Sequence, residues 1–132
     1  MKPRILLIDD DRAVLRALEI IFLDLGYDVQ TAHDGEKGLQ HFCADQPDIV
    51  VTDILMPNKE GIETIIQMRR LRADAKIIAM SGGGPMDKRP LLAMAAKLGA
   101  DRVLLKPFDP EQIAELVQSL HAPGYPHPAG GV

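Results

Sequence analysis

Five short apolar runs, each followed by a segment of helical periodicity, predict an α/β fold built on a five-stranded parallel sheet. Two features of those runs sharpen the prediction. Residues 5–8 and 49–51 show no polar alternation, as expected of strands buried on both faces. Both runs also end at aspartates, Asp9-Asp10-Asp11 in one case and Asp53 in the other, where the chain must turn.

The elements follow in order. Beyond the first aspartates, Val14, Leu15, Leu18, Ile21, Phe22 and Leu25 recur along one helical face, and Gly26 supplies the stop. Residues 27–32 give a weaker strand, and Asp34-Gly35 turns the chain into a short helix bearing Leu39, Phe42 and Cys43. After Asp53 come Met56-Pro57, Gly61 and a helix carrying Ile62, Ile65, Ile66 and Arg69. Residues 76–80 form a fourth strand ending in Ser81, and Gly82-Gly83-Gly84-Pro85 leaves the next loop free to close on a ligand. A helix over residues 91–98 closes at Gly99, and residues 102–106 make the fifth strand. Asp109-Pro110-Glu111-Gln112 opens the last helix, with Asp109 as N-cap and Gln112 reaching back to it; Ile113, Leu116, Val117 and Leu120 form its inner face. Right-handed crossovers then give a doubly wound sheet with helices on both faces, and a chain this short fits the flavodoxin-like order 2-1-3-4-5.

Composition narrows the function classes. The 132 residues suffice for one domain, expected over residues 1–121; residues 122–132 have no packing pattern and read as a disordered tail or linker stump. With 15 Lys+Arg against 19 Asp+Glu, the longest basic stretch is Arg69-Arg70-Leu71-Arg72, which reads as a solvated helix end. Direct nucleic-acid binding is therefore not expected. No apolar run is long enough for a membrane span and no signal-peptide core is present, so a soluble cytoplasmic protein is expected. The single Cys43 excludes an internal disulfide and reads as packing beside Phe42. His33, His41, His121 and His127 lack metal-ligand spacing and read as exposed. Each helix has an apolar stripe that the core can absorb, so an unmodified monomer is expected.

Strand order 2-1-3-4-5 makes strands one and three neighbours, with the switch point between their carboxyl ends. Asp9, Asp10 and Asp53 then meet, with Ser81 and Lys106 on adjoining strand ends. Two carboxylates about 5 Å apart repel by roughly 3 kcal/mol at an effective dielectric near 20. A hard divalent cation offsets that, and Mg²⁺ suits a site that handles phosphate. Mg²⁺ and the Lys106 ammonium would hold phosphoryl oxygens, Ser81 and nearby N–H groups would donate hydrogen bonds, and Asp53, on the central strand, becomes the nucleophile.

These residues resemble a receiver domain of the response-regulator family from two-component signalling. The resemblance covers residues 2–120. It rests on Asp9-Asp10, on Asp53 with Met56-Pro57 and Gly61, on Ser81, on Gly99-Ala100, and on Lys106-Pro107-Phe108, in that order and at these spacings. It implies that Asp53 accepts phosphate from a histidine kinase or a histidine phosphotransfer protein. It implies Mg²⁺ bound directly by Asp10, through water by Asp9, and by Asp53 and the Leu55 carbonyl. Ser81, Gly82 and Lys106 would bind the phosphoryl group, and the bond before Pro107 would be cis. A downstream target or a second copy would bind through helix four, strand five and helix five. Val103 departs from the pattern, standing where many receivers carry a switching aromatic, and Glu60 stands where Asp is commoner. Such a domain is no enzyme beyond its own phosphorylation and dephosphorylation. Three other functions compete: a receiver-like interaction module that needs no phosphate, a haloacid-dehalogenase-type phosphatase using Asp9 and Asp11, and a flavin-binding domain. The phosphatase lacks a cap domain and leaves Asp53 without a role. The flavin reading lacks aromatics and a Ser/Thr-rich phosphate loop.

Overall fold

The computed structural model describes residues 2–54, 61–82 and 89–120. Five strands alternate with five helices: β1 (Arg4–Ile8), α1 (Arg12–Asp24), β2 (Asp28–Ala32), α2 (Gly35–Asp45), β3 (Ile49–Asp53), α3 (Gly61–Leu71), β4 (Lys76–Gly82), α4 (Arg89–Leu98), β5 (Arg102–Lys106) and α5 (Pro110–Ser119). All pairings are parallel, in the order β2-β1-β3-β4-β5. The fold is the doubly wound, flavodoxin-like sheet that the alternation predicts.

Strand parity divides the core. Leu6, Ile8, Val50, Ile77 and Ala79 pack with Phe42 of α2, Ile65 and Met68 of α3, and Leu92 and Ala95 of α4. Ile5, Leu7, Ile49, Val51, Ile78, Met80 and Leu104 pack with Leu15, Leu18 and Phe22 of α1 and Ile113 and Val117 of α5. Every residue of β3 is buried, which explains the unbroken apolar run over Ile49-Val50-Val51.

Local chemistry sets the element ends. Asp11 caps α1, its carboxylate accepting from the Ala13 and Val14 N–H groups, and Asp34 caps α2 through the Lys37 N–H. Gly26, at φ 93°, lets the chain leave α1 in a Schellman arrangement: its N–H reaches the Leu23 carbonyl, and the Tyr27 N–H reaches that of Phe22. The Tyr27 ring then stands edge-on to Phe22, with centroids 5.4 Å apart. Among the described residues helix α4 is already formed at Arg89, two residues before the periodicity predicts.

Four expectations are corrected. Asp109 is the N-cap residue of α5, but its side chain makes no capping bond. Cys43 is exposed, because the α2 stripe that meets the core runs through Gly35, Gly38 and Phe42 and leaves residue 43 on its outer edge. His33 and His41 are half-buried, beside Asp34 and Asp45. The basic end of α3 is no solvated run. Arg69 pairs with Asp101 at 2.8 Å and donates to the Gly99 and Ala73 carbonyls, and Arg72 lies over the Phe42 ring and donates to the Pro47 carbonyl. The tail 122–132, His121 and His127, Leu55, the Met56-Pro57 turn, Glu60 and Gly83-Gly84-Pro85 lie outside the described residues.

Candidate phosphoacceptor site

The sheet register assembles the site. Ile8 pairs with Thr52, which sets Asp9 beside Asp53 at the carboxyl ends of β1 and β3. Asp53 in turn pairs with Met80, so Ser81 projects one residue beyond it on β4. Gly82 pairs with Lys106 at the end of β5. The Asp9 side chain is wholly buried, Asp53 is nearly so, and Asp10 is exposed at the rim.

One carboxylate oxygen from each of Asp9, Asp10 and Asp53 lies within 4.8 Å of the others. Lys106 reaches across β4 and β3 to this cluster: its Nζ donates to Asp9 Oδ2 at 2.6 Å and sits 3.5 Å from Asp53 Oδ2. Burial pulls the ammonium toward deprotonation, but the hydrogen bond to Asp9 and the fields of Asp53 and Asp9 outweigh it, leaving the pKa raised. The other Asp9 oxygen accepts from the Asp11 N–H at 2.9 Å, so both carboxylate oxygens are engaged. Three carboxylates against one ammonium leave the pocket anionic, and a set of oxygen donors alone suits a hard divalent cation such as Mg²⁺. The donors present fit the ion that the sequence implies.

Ser81 is fully buried, and among the described residues its Oγ is the buried side-chain polar atom with no hydrogen-bond partner. A desolvated hydroxyl without a partner is costly, and it is available to a ligand oxygen at the strand ends. Two glycines make the pocket possible. A Cβ on Gly82, which has φ 155°, would lie 2.6 Å from the Lys106 carbonyl oxygen, so only glycine lets the end of β4 run so close to β5. A Cβ on Gly61 would lie 2.3 Å from both the Asp53 carbonyl oxygen and Ile54 Cα, so glycine lets α3 begin against the backbone that carries Asp53. The Lys106-Pro107 peptide bond is cis.

The predicted residues thus fall together, except that Leu55 lies outside the described residues. Val103 sits on the same sheet face as Ser81, paired with Ala79, and is 39% exposed. Sequence reasoning read Arg69 as part of a solvated helix end and passed over Asp101, its partner in the turn before β5. It also passed over Leu105, which pairs with Ser81 and is exposed.

An acidic cluster with two buried members, a lysine and an orphaned hydroxyl at the switch point of a doubly wound sheet define an α/β domain whose ligand site lies at the strand ends. The chain belongs to the response regulator receiver domain family of two-component signalling, which it matches over residues 5–118. It is 35% identical to the response regulator MprA of Mycobacterium ulcerans over 120 residues, 91% of this chain and 50% of that protein. It is 34% identical to the probable transcriptional regulator ycf27 of Cyanophora paradoxa, over 90% of this chain and 48% of that one. The chain therefore spans about half the length of these relatives. The crystal structure of a CheY-like receiver domain protein from Methanospirillum hungatei superposes with a TM-score of 0.84 at 28% identity, covering 92% of this chain and 95% of that one. Among the described residues no helix is long and apolar enough to cross a membrane.

Proposed function

We propose that Asp53 accepts a phosphoryl group from a phosphohistidine, on a histidine kinase or a histidine phosphotransfer protein, in a Mg²⁺-dependent step that alters partner binding. The observation that carries this reading is the convergence of Asp9, Asp10 and Asp53 on one point, with the Lys106 ammonium reaching two of them. Asp9, Asp10 and Asp53, with the Leu55 carbonyl, would hold Mg²⁺, which supplies charge neutralisation for the phosphoryl oxygens.

The chain's own residues do the rest. An Asp53 carboxylate oxygen forms the new bond to phosphorus as the N–P bond of the donor breaks in line. The electron pair of that bond returns to the imidazole nitrogen, which takes a proton from solvent. Lys106 turns from Asp53 to a phosphoryl oxygen, the Ser81 hydroxyl donates to a second, and the Gly82 N–H lies at the same strand end. Chemistry beyond this domain's own phosphorylation and dephosphorylation is not part of the proposal.

Asp11 is engaged as the cap of α1, and Asp9 is paired with Lys106, so neither is disposed as the nucleophile and acid of a phosphatase. A target or second copy would read the state through α4, β5 and α5, where Met94, Leu98, Val103 and Leu105 are exposed. Val103 bears on this readout and not on acceptor chemistry. Intact-protein mass after incubation with acetyl phosphate tests the proposal: one phosphoryl group is expected with Mg²⁺, and none without the metal or in Asp53→Asn. Unmodified but folded protein under all conditions, with a phosphohistidine donor protein as well, would favour an interaction module that needs no phosphate.

A further inference from the structure

The acceptor strand carries one polar side chain besides Asp53 itself. Thr52 is fully buried, on the face of β3 that it shares with Val50 and that α2, α3 and α4 cover. Valine would fill the same space with no polar atom to satisfy, and would extend the run Ile49-Val50-Val51. A buried hydroxyl is costly unless it is bonded. The Thr52 hydroxyl is bonded, and its partner is the backbone of the acceptor: Oγ1 donates to the Asp53 carbonyl oxygen at 3.0 Å. It differs in this from Ser81, a buried hydroxyl on the neighbouring strand whose Oγ has no partner among the described residues.

The place of that bond follows from the sheet. Pairing between β1 and β3 ends at Ile8 and Thr52, where β1 gives way to the acidic turn. On the other side the ladder continues: the Ile54 N–H donates to the Met80 carbonyl of β4 at 3.0 Å. In a trans peptide the N–H and the C=O point in opposite directions, so the Asp53 carbonyl points away from β4, toward the side that β1 has left. The Thr52 hydroxyl meets it there. The Asp53-Ile54 peptide is thus held at its N–H by β4 and at its C=O by Thr52, and Gly61 of α3 lies close against the same carbonyl. A peptide plane that cannot rock fixes the direction of the Asp53 Cα–Cβ bond, and in-line attack on phosphorus depends on that aim.

We infer that Thr52 is a positioning residue for phosphoryl transfer, its hydroxyl holding the Asp53-Ile54 peptide so that the Asp53 carboxylate faces the incoming phosphorus. The inference rests on the reading of Asp53 as the acceptor, and adds to it a residue outside the acidic cluster. The proton of Oγ1 stays in place throughout; only the orientation of the nucleophile depends on it.

Rates of labelling by acetyl phosphate in saturating Mg²⁺, read by intact-protein mass on the full chain, test this beside urea unfolding of the same variants. Thr52→Val keeps the shape and loses the hydroxyl; it should label about fivefold more slowly, the factor that one lost hydrogen bond implies. Thr52→Ser keeps the hydroxyl and loses a buried methyl group; it should label within about twofold of the wild type, yet unfold at lower urea than the wild type does. The rate then follows the hydroxyl and not the stability. Thr52→Val labelled at the wild-type rate, or Thr52→Ser slowed as much as Thr52→Val, would overturn the inference and leave Asp53 as the acceptor. A wild type that stays unlabelled by acetyl phosphate and by a phosphohistidine donor protein would overturn the acceptor reading itself, and the inference with it. Circular dichroism of each variant, matching the wild type, shows that slow labelling is not unfolding.

Discussion

Replacing Lys106 by Met keeps most of the side-chain stem and removes the ammonium that neutralises the acidic pocket. The change leaves Asp9, a fully buried carboxylate, without the donor that lies 2.6 Å away. Removing one partner of a buried ion pair costs about 3–5 kcal/mol. The Lys106 side chain is 18% exposed, so water can enter from that side, and the low end, about 3 kcal/mol, applies. The loss should depend on metal. In chelator, urea unfolding should show the full deficit; in millimolar Mg²⁺ the gap should narrow, because a cation bound by the carboxylates supplies the missing charge and stabilises the folded state by mass action. Equal stability of the two proteins in chelator would refute the electrostatic account of the pocket. A deficit that Mg²⁺ leaves unchanged would show that the metal does not bind among these carboxylates.

Three further outcomes follow from the structure. Arg69→Ala removes the cationic partner of the buried Asp101 carboxylate, which keeps the Ile77 N–H, and should cost about 3 kcal/mol in urea unfolding, while the exposed neighbour Arg70→Ala should stay within about 0.5 kcal/mol. Gly61→Ala forces a methyl group into the backbone at Asp53 and Ile54; it should cost about 1–3 kcal/mol and slow acetyl-phosphate labelling, read by urea unfolding and intact mass. Lys106 and Tyr27 both have raised pKa values in the folded state, so the folded chain holds their protons more tightly than the unfolded chain does. Their contribution is complete below the ordinary values of 10.5 and 10.0 and is lost as pH rises through the folded ones. Urea midpoints should therefore hold steady up to about pH 9 and fall above pH 10, less steeply in Lys106→Met.

The sheet was legible because its signals are local. Runs such as Ile49-Val50-Val51 declare a doubly buried strand, and an aspartate at the end of each of two such runs locates the switch point once the strand order is assumed. The site residues were legible for the same reason: Asp9, Asp53, Ser81 and Lys106 all stand at strand ends, and the register brings strand ends together. What could not be read depended on partners distant in sequence or on the phase of a helix. Arg69 looks like any basic helix end until Asp101, 32 residues away, is brought against it. Cys43 and Phe42 are sequence neighbours, yet one turn angle of about 100° separates a buried ring from an exposed thiol. Ile20 and Leu23 look like core material by composition, and only the packing of α1 shows that Leu15, Leu18 and Phe22 already fill the contact with the sheet. The Asp109 cap failed differently: the residue type and position were right, and the side chain does not make the bond.

The most direct test of the central reading locates the phosphoryl group itself. After labelling with acetyl phosphate and Mg²⁺, borohydride reduction converts an aspartyl phosphate to homoserine, and peptide mass spectrometry reads the position. Homoserine at residue 53 alone is the predicted result. Homoserine at residue 9 or 10 with residue 53 intact would contradict the assignment of Asp53 as the acceptor and of Asp9 and Asp10 as its metal-binding neighbours.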